Sequence, residues 1–194
     1  MNERTLAWDE GQWTTPPADV KADGPDLVVT ALEGSDAWRT TSYGFVHDNE
    51  HALLAPLPPD SAVEVSFAAT LDEQFDQAGV FLRTSASHWV KAGIEYADGR
   101  PNLGAVVTDE LSDWSSAPVP AWTGRRVTIR ASRSGDALTL RARVEDEPFD
   151  FFRLVPLDPA VELAAGPYLC APPRAGLTVR FYSWRLTAPD DSLH

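Results

Sequence analysis

The feature that most constrains this chain is the recurrence of short runs of alternating apolar residues, broken every few positions by Gly, Pro, Asp or Asn. That spacing is the signature of an all-β protein. It predicts strands at Asp26–Leu32, Ala37–Ser42, Ala52–Ala55, Val63–Leu71, Ala78–Thr84, Trp89–Tyr96 and Leu103–Thr108. Further strands are expected at Arg126–Ser132, Ala137–Val144, Phe149–Pro156, Glu162–Leu169 and Leu177–Thr187. No run sustains a 3.6-residue period, and sixteen prolines oppose long helices. One stretch, Pro156–Ala165, has room for a helical turn. Ala97-Asp98-Gly99 and Ser134-Gly135-Asp136 are hairpin signals. A dozen strands exceed what one open sheet holds without splitting. Two stacked antiparallel sheets are the expected solution, with a closed barrel as the alternative.

At 194 residues the chain fits a single domain with a core of its own, spanning 1–194. The first 25 residues or so and the tail 188–194 read as irregular chain ends. The net charge of −13 opposes binding to nucleic acid or anionic membranes, since phosphate binding needs clustered Lys and Arg and none is present. The N-terminus lacks an apolar leader segment, and no stretch approaches the length of a membrane span. The single cysteine, Cys170, sits in the apolar run Pro167–Ala171 and reads as a core residue. A cytoplasmic location is the resulting expectation.

Candidate chemistry concentrates between Asp76 and Trp114. Strand parity places Val90, Ala92 and Ile94 on one face and Trp89, Lys91, Gly93 and Glu95 on the other. The preceding strand divides alike, with Ala78, Val80 and Leu82 inward and Gln77, Gly79, Phe81 and Arg83 opposite. If the two strands are neighbours, Gln77, Arg83, Lys91 and Glu95 decorate one sheet surface. Lys91 and Glu95 lie roughly 13 Å apart along an ideal strand, so each must meet a neighbouring strand or a ligand. Beyond Thr108, Ser112-Asp113-Trp114 is expected to form a loop presenting a carboxylate beside an aromatic platform. Aromatic faces that stack on sugar rings, with carboxylates and amides for hydroxyls, compose a carbohydrate site. Glu95 as acid/base and Asp113 as nucleophile are the best catalytic pair, provided they lie close enough for glycoside hydrolysis.

Other constellations are weaker. His47-Asp48-Asn49-Glu50-His51 holds metal-ligand residue types, but Asp48-Asn49 is a turn dipeptide and the segment reads as a hairpin turn. His88 has the chemistry of a base, yet no nucleophile elbow accompanies it. No motif calls for a cofactor.

Several motifs together resemble a known family. Asp76-Gln77-Ala78-Gly79-Val80, the run Trp89–Gly99, Val106-Val107-Thr108 and Ser112-Asp113-Trp114-Ser115 come in its order and spacing. Trp38-Arg39-Thr40, Tyr43-Gly44-Phe45, Gly166-Pro167-Tyr168 and Val179-Arg180-Phe181 extend the likeness over nearly the whole chain. The chain is similar to the domain-of-unknown-function family typified by the yeast "regulation of enolase" protein. The resemblance implies a concanavalin A-like jelly-roll sandwich, related to modules at the C-termini of some β-xylosidases. It maps a pocket onto Gln77, Lys91, Glu95, Thr108, Ser112, Asp113 and Trp114, with Arg153 a weaker match. The ExDxxE strand pattern of concanavalin-like glucanases is missing, which weighs toward binding over catalysis. Three functions follow as expectations: a module that binds a carbohydrate or small metabolite, a regulatory protein that binds a metabolic enzyme, and an enzyme acting on a sugar or sugar phosphate.

Overall fold

The structure, a computed structural model, describes residues 3–193. In chain order the strands are β1 (Arg4–Thr5), β2 (Gln12–Trp13), β3 (Asp19–Asp23), β4 (Asp26–Thr30), β5 (Ala37–Arg39), β6 (Val46–Asp48), β7 (His51–Pro56), β8 (Ser61–Ala69) and β9 (Gln77–Arg83). They continue as β10 (His88–Ala97), β11 (Arg100–Asp109), β12 (Leu111–Pro118), β13 (Val127–Ser134), β14 (Ala137–Val144), β15 (Asp150–Pro156), β16 (Ala164–Cys170) and β17 (Thr178–Thr187). Two short 3-10 turns, Trp8–Glu10 and Pro120–Trp122, complete the elements. Among the described residues no helix is long and apolar enough to cross a membrane.

The strands stack as two antiparallel sheets, a jelly-roll sandwich. One sheet runs β15-β14-β13-β8-β17-β4-β3, with β1 pairing to β17; the other runs β12-β11-β10-β9-β16-β7-β2. Alternation builds the layer between them. Ala78, Val80, Leu82, Val90, Ala92 and Ile94 from the second sheet meet Val63, Val65, Phe67, Ile129, Leu140, Phe181 and Trp184 from the first. Burying such side chains is worth roughly 1.5–3 kcal/mol each, which fixes register, because a one-residue slip would turn each of these strands inside out.

Every expected strand overlaps an observed one, and the two hairpin signals hold. Asp98 (φ 54°) and Gly99 (φ 76°) turn β10 into β11, and Gly135 (φ 56°) turns β13 into β14. Several expectations give way. The N-terminal 25 residues contain β1, β2 and β3 rather than irregular chain, because β2 and β3 extend the sheets beyond β7 and β4 and β1 pairs with the end of β17 that β4 leaves free. The strand expected to reach Ser42 stops at Arg39, where Thr40 (φ 63°) and Ser42 (φ 64°) turn the chain. Pro156–Ala165 makes a bend with no helix. The tail is tied down: Asp190 N–H donates to Ser132 Oγ at 2.8 Å, and Arg141 Nη2 donates to the Leu193 carbonyl at 2.9 Å.

A two-stranded ribbon, β5 with β6, belongs to neither sheet. It covers the outer face of the second sheet and creates a third layer there. Ala37 and Trp38 of the ribbon pack with Ala52, Phe81, Trp89, Val106, Tyr168 and Cys170, a buried cluster separate from the main core. This ribbon positions the site.

Candidate functional site

Antiparallel register lays the outer face of the second sheet out as rows. One row reads Cys170, Gln77, Glu95, Asn102 and Pro118 across β16, β9, β10, β11 and β12. The next reads Tyr168, Gly79, Gly93, Gly104 and Ser116, and the third Gly166, Phe81, Lys91, Val106 and Trp114. The glycine row is obligatory at its centre. A Cβ on Gly79 would lie 2.1 Å from the Ala92 carbonyl oxygen, and one on Gly93 would lie 2.1 Å from that of Ala78. No side chain fits there, so the row is a furrow between the Glu95 and Lys91 rows.

Above this floor the ribbon closes a pocket of about 250 Å³. Asp36, Gln77, Lys91 and Glu95 are its polar groups. Its walls are Trp38, Tyr43, Phe45 and His47 from the ribbon, Phe75 and Pro172 from flanking loops, and Trp114 from the edge strand β12. The ribbon aromatics brace one another. Trp38 meets Tyr43 edge-on at 5.6 Å, Tyr43 stacks on Phe45 at 5.3 Å, and Phe45 meets His47 edge-on at 4.6 Å. Such pairs contribute about 0.5–1.5 kcal/mol beyond area burial and hold the wall in shape. Phe75 takes a left-handed backbone (φ 66°), a conformation that costs a bulky residue energy. The turn holding it is anchored by Asp76, fully buried and bound by the Arg174 guanidinium through both carboxylate oxygens.

Asp36 is the organising group. Its Oδ1 accepts from Lys91 Nζ at 3.0 Å, Gln77 Nε2 at 3.1 Å and its neighbour Ala37 N–H at 2.8 Å. Lys91 is buried. Burial works against its charge, but Asp36, with Cys170 and Glu95 behind it, more than offsets this and holds its pKa above the ordinary lysine value. Glu95 stands differently. Its carboxyl makes no hydrogen bond to any described residue, and burial raises its pKa to about 7, with Lys91 pulling down and Asp36 pushing up. Gln77 is 1% exposed, and its Oε1 has no partner. The pocket thus contains two polar groups that the fold itself leaves unused. Beneath it, burial also keeps Tyr168 and Cys170 protonated, well above their usual values.

Of the residues singled out from the sequence, Gln77, Lys91, Glu95 and Trp114 line this pocket together. The others fall elsewhere. Trp89 is a packing residue, 6% exposed and stacked on Phe81 at 5.4 Å. Arg83 lies toward the far end of β9, 3.6 Å from buried Glu50, whose pKa burial raises despite that arginine. Thr108 and Ser112 share a 2.9 Å hydrogen bond, and Ser112 Oγ accepts from Arg39 N–H at 2.9 Å. They tether the ribbon to the sheet. Asp113 is on the opposite side of its strand from Trp114, because Ser112–Trp114 is strand, not loop. It ion-pairs with Arg153 of the other sheet at 2.7 Å. Glu95 and Asp113 therefore do not form a catalytic pair.

The histidine segment is not a hairpin turn, and among the described residues it joins no cluster of metal-ligating side chains. Val46–Asp48 is β6, and the chain runs on into β7. His51 is buried, with Nε2 accepting from Leu32 N–H at 3.0 Å, which leaves Nδ1 to donate to the Thr15 carbonyl at 2.9 Å. Burial lowers its pKa, against the Thr15 bond. His47 instead joins the pocket wall. His88, at the other end of β10 from Glu95, is solvent-exposed, with Nε2 2.9 Å from Asp109 Oδ1 and Nδ1 facing Ser85 and Ser87.

Asp36 and the ribbon aromatics escaped the sequence reading. A signal for the wall was present, since Tyr43, Phe45 and His47 alternate with period two. Asp36 left none, being one carboxylate forty-one positions from Gln77.

Together these features define a class: a two-sheet jelly-roll sandwich carrying a roofed, aromatic-walled pocket on the outer face of one sheet. Residues 13–189 match the family described as "Protein of unknown function (DUF1349)", and the chain belongs to it. It is 33% identical over 189 residues to "Regulation of enolase protein 1" of Saccharomyces cerevisiae, covering 97% of this chain and 95% of that protein. A crystal structure of a functionally unknown protein from Saccharomyces cerevisiae superposes with a TM-score of 0.89 at 31% identity, over 95% of this chain and 100% of that one. The fold also matches part of a xylan beta-1,4-xylosidase from Bacillus halodurans C-125, with a TM-score of 0.66 at 12% identity, over 92% of this chain and 39% of that one. An alginate lyase from Klebsiella pneumoniae matches with a TM-score of 0.57 at 11% identity, over 91% of this chain and 87% of that one. At those identities the likeness is one of fold alone.

Proposed function

We propose that this protein binds a carbohydrate or sugar-like metabolite in the pocket beneath the ribbon. The observation that carries this reading is the pair of unused polar groups, the Glu95 carboxyl and Gln77 Oε1, on a floor facing the side chains of Trp38, Tyr43, Phe45, Phe75 and Trp114. A volume of about 250 Å³ suits one or two sugar rings better than a chain. Binding is favoured over bond cleavage, because the other carboxylate in the pocket, Asp36, already accepts three hydrogen bonds from the protein. The presence of carbohydrate-active proteins among those that share the fold agrees with this reading by analogy only. A thermal-shift screen against mono- and disaccharides tests it, since a bound ligand raises the melting temperature by mass action. Glu95→Ala should abolish the rise while leaving the unliganded melting temperature no lower.

A second reading is regulatory. Tyr43, Phe45 and Trp114 of the pocket wall are exposed apolar side chains, as are Val46 of β6 and Leu111 of β12. Such side chains suit a protein partner, and the name of the yeast relative, printed above, speaks of regulating an enzyme. Retention of purified enolase on the immobilised chain, lost on Tyr43→Ser with Phe45→Ser, would support it; no retention at physiological salt would count against it.

A further inference from the structure

The pocket carries a charge balance that narrows its ligand. Two ionisable side chains on its floor, Lys91 and Glu95, meet a third, Asp36, brought in by the ribbon. Asp36 and Lys91 sit 3.0 Å apart and cancel, which leaves Glu95 as the surplus group. The Gln77 amide can be oriented without ambiguity. The Asp36 carboxylate only accepts, so the amide nitrogen must face it, and Oε1 is the atom left over. A buried acceptor without a donor is destabilising, and a ligand donor would recover that cost. One unfilled position is therefore an acceptor, and the other is a carboxyl that a bound cation can hold ionised.

The walls are aromatic, a surface on which cations as well as apolar groups pack. Trp38, Tyr43, Phe45 and Trp114 line the space with aromatic rings, whose faces carry the negative lobe of the ring quadrupole. The chain's net charge of −13 adds a long-range field of that sign. The cations that would serve an anionic sugar are already committed. Lys91 is bound to Asp36, and Arg83 faces Glu50 away from the pocket. Of the other titratable groups nearby, His47 stands on the wall, and Tyr168 and Cys170 lie beneath the floor, protonated.

Resting on the ligand reading above, we infer that the pocket selects a cationic, hydroxylated amine of monosaccharide size, an amino sugar or amino alcohol. Its ammonium lies against the Glu95 carboxylate and the aromatic wall, and a hydroxyl donates to Gln77 Oε1. Neutral sugars satisfy the acceptors but leave Glu95 uncompensated. Uronic acids and sugar phosphates meet repulsion.

Calorimetric titration of the full chain near neutral pH with glucosamine, glucose, glucuronate and choline tests this. Glucosamine should bind about tenfold more tightly than glucose, glucuronate should be weakest, and Glu95→Gln should erase the glucosamine advantage, so that the variant binds glucosamine and glucose equally. An unchanged melting temperature, or a raised one, shows that the variant is folded. Equal binding of glucosamine and glucose by the parent chain overturns the cation inference and leaves the sugar reading standing. Choline binding without either sugar keeps the cation and removes the sugar. No heat from any of the four overturns both.

Discussion

The two sheets turn opposite outer faces to their surroundings, and the contrast between them sets a paired scaffold face against the face proposed to bind a ligand. On the first sheet, the charges satisfy one another. Arg130 is buried and donates to Glu64 Oε1 at 2.8 Å, Asp190 Oδ1 at 2.7 Å, Thr187 Oγ1 at 2.6 Å and the Ala188 carbonyl at 2.8 Å. Arg141 takes the other oxygen of Asp190 at 3.0 Å, and Arg185 the other oxygen of Glu64 at 3.2 Å. The C-terminal segment lies over this network as its cover. On the second sheet, the ribbon covers an apolar layer, and the polar groups beneath it are incompletely paired. The same alternation thus gives one face whose ion pairs are closed, where Arg143 Nε lacks an acceptor but the guanidinium lies over the Phe149 ring at 4.5 Å, and one whose pocket keeps the Glu95 carboxyl and Gln77 Oε1 open. Complete pairing is what a scaffold needs, because a half-satisfied polar network destabilises. Open positions persist in the pocket as a cost that a ligand can offset.

The largest effect that would sharpen this contrast lies on the closed face. Arg130→Ala removes a buried guanidinium that binds four groups at once, leaving Glu64 only Arg185 and Asp190 only Arg141, and should cost about 3–5 kcal/mol in denaturant unfolding. A loss below about 1 kcal/mol would mean that the network is not the scaffold element described. Lys91→Met, the equivalent cut on the open face, leaves Asp36 without its counter-charge. It should cost about 2–4 kcal/mol and push the Glu95 pKa further up, since Lys91 is the group that lowers it.

Glu95→Gln should have the opposite sign. The folded pKa of Glu95, about 7, lies above its unfolded value, so the folded state prefers the proton. Below the unfolded pKa the group costs nothing; as pH rises through the folded pKa, the native protein loses stability. The glutamine variant escapes this and should be more stable than the parent by on the order of 1–2 kcal/mol at pH 8 and equal to it near pH 4. A variant less stable at pH 8 would show that Glu95 is a partnered, structural charge. Ser112→Ala removes the hydroxyl that accepts from the ribbon, and should cost about 1 kcal/mol with a matching loss of ligand affinity. Asp113→Asn, which touches only an exposed pair with Arg153, should change stability by less than about 0.5 kcal/mol and binding not at all.

How much of this was legible in the sequence depends on the range of the interaction. Parity is local, so the two faces of β9 and β10 follow from spacing, and with them the union of Gln77, Lys91 and Glu95. The roof is not local. The ribbon reads as ordinary strand up to Arg39, and only its docking through Ser112 and Thr108 makes it a lid on the sheet. Asp36 is supplied by that docking, so nothing near Lys91 announces it. Asp113 was misplaced for a related reason. Taken as a loop, Ser112-Asp113-Trp114 could present both side chains together; as an edge strand paired to β11, it must turn them to opposite faces. Trp89 reads as a platform by parity, and only the neighbouring Phe81 ring shows that it is packing.

The central claim is that the open face holds a ligand between the ribbon and β12. Its most direct test uses the seven tryptophans as reporters. Trp38 and Trp114 line the pocket, whereas Trp8 stacks on Trp184 in another part of the molecule. Indole N–H resonances followed during titration with glucosamine, then with glucose, should show saturable shifts for Trp38 and Trp114 and none for Trp8 or Trp184. Shifts spread evenly over all the indoles, or none at Trp38 and Trp114 at saturating sugar, would contradict the account.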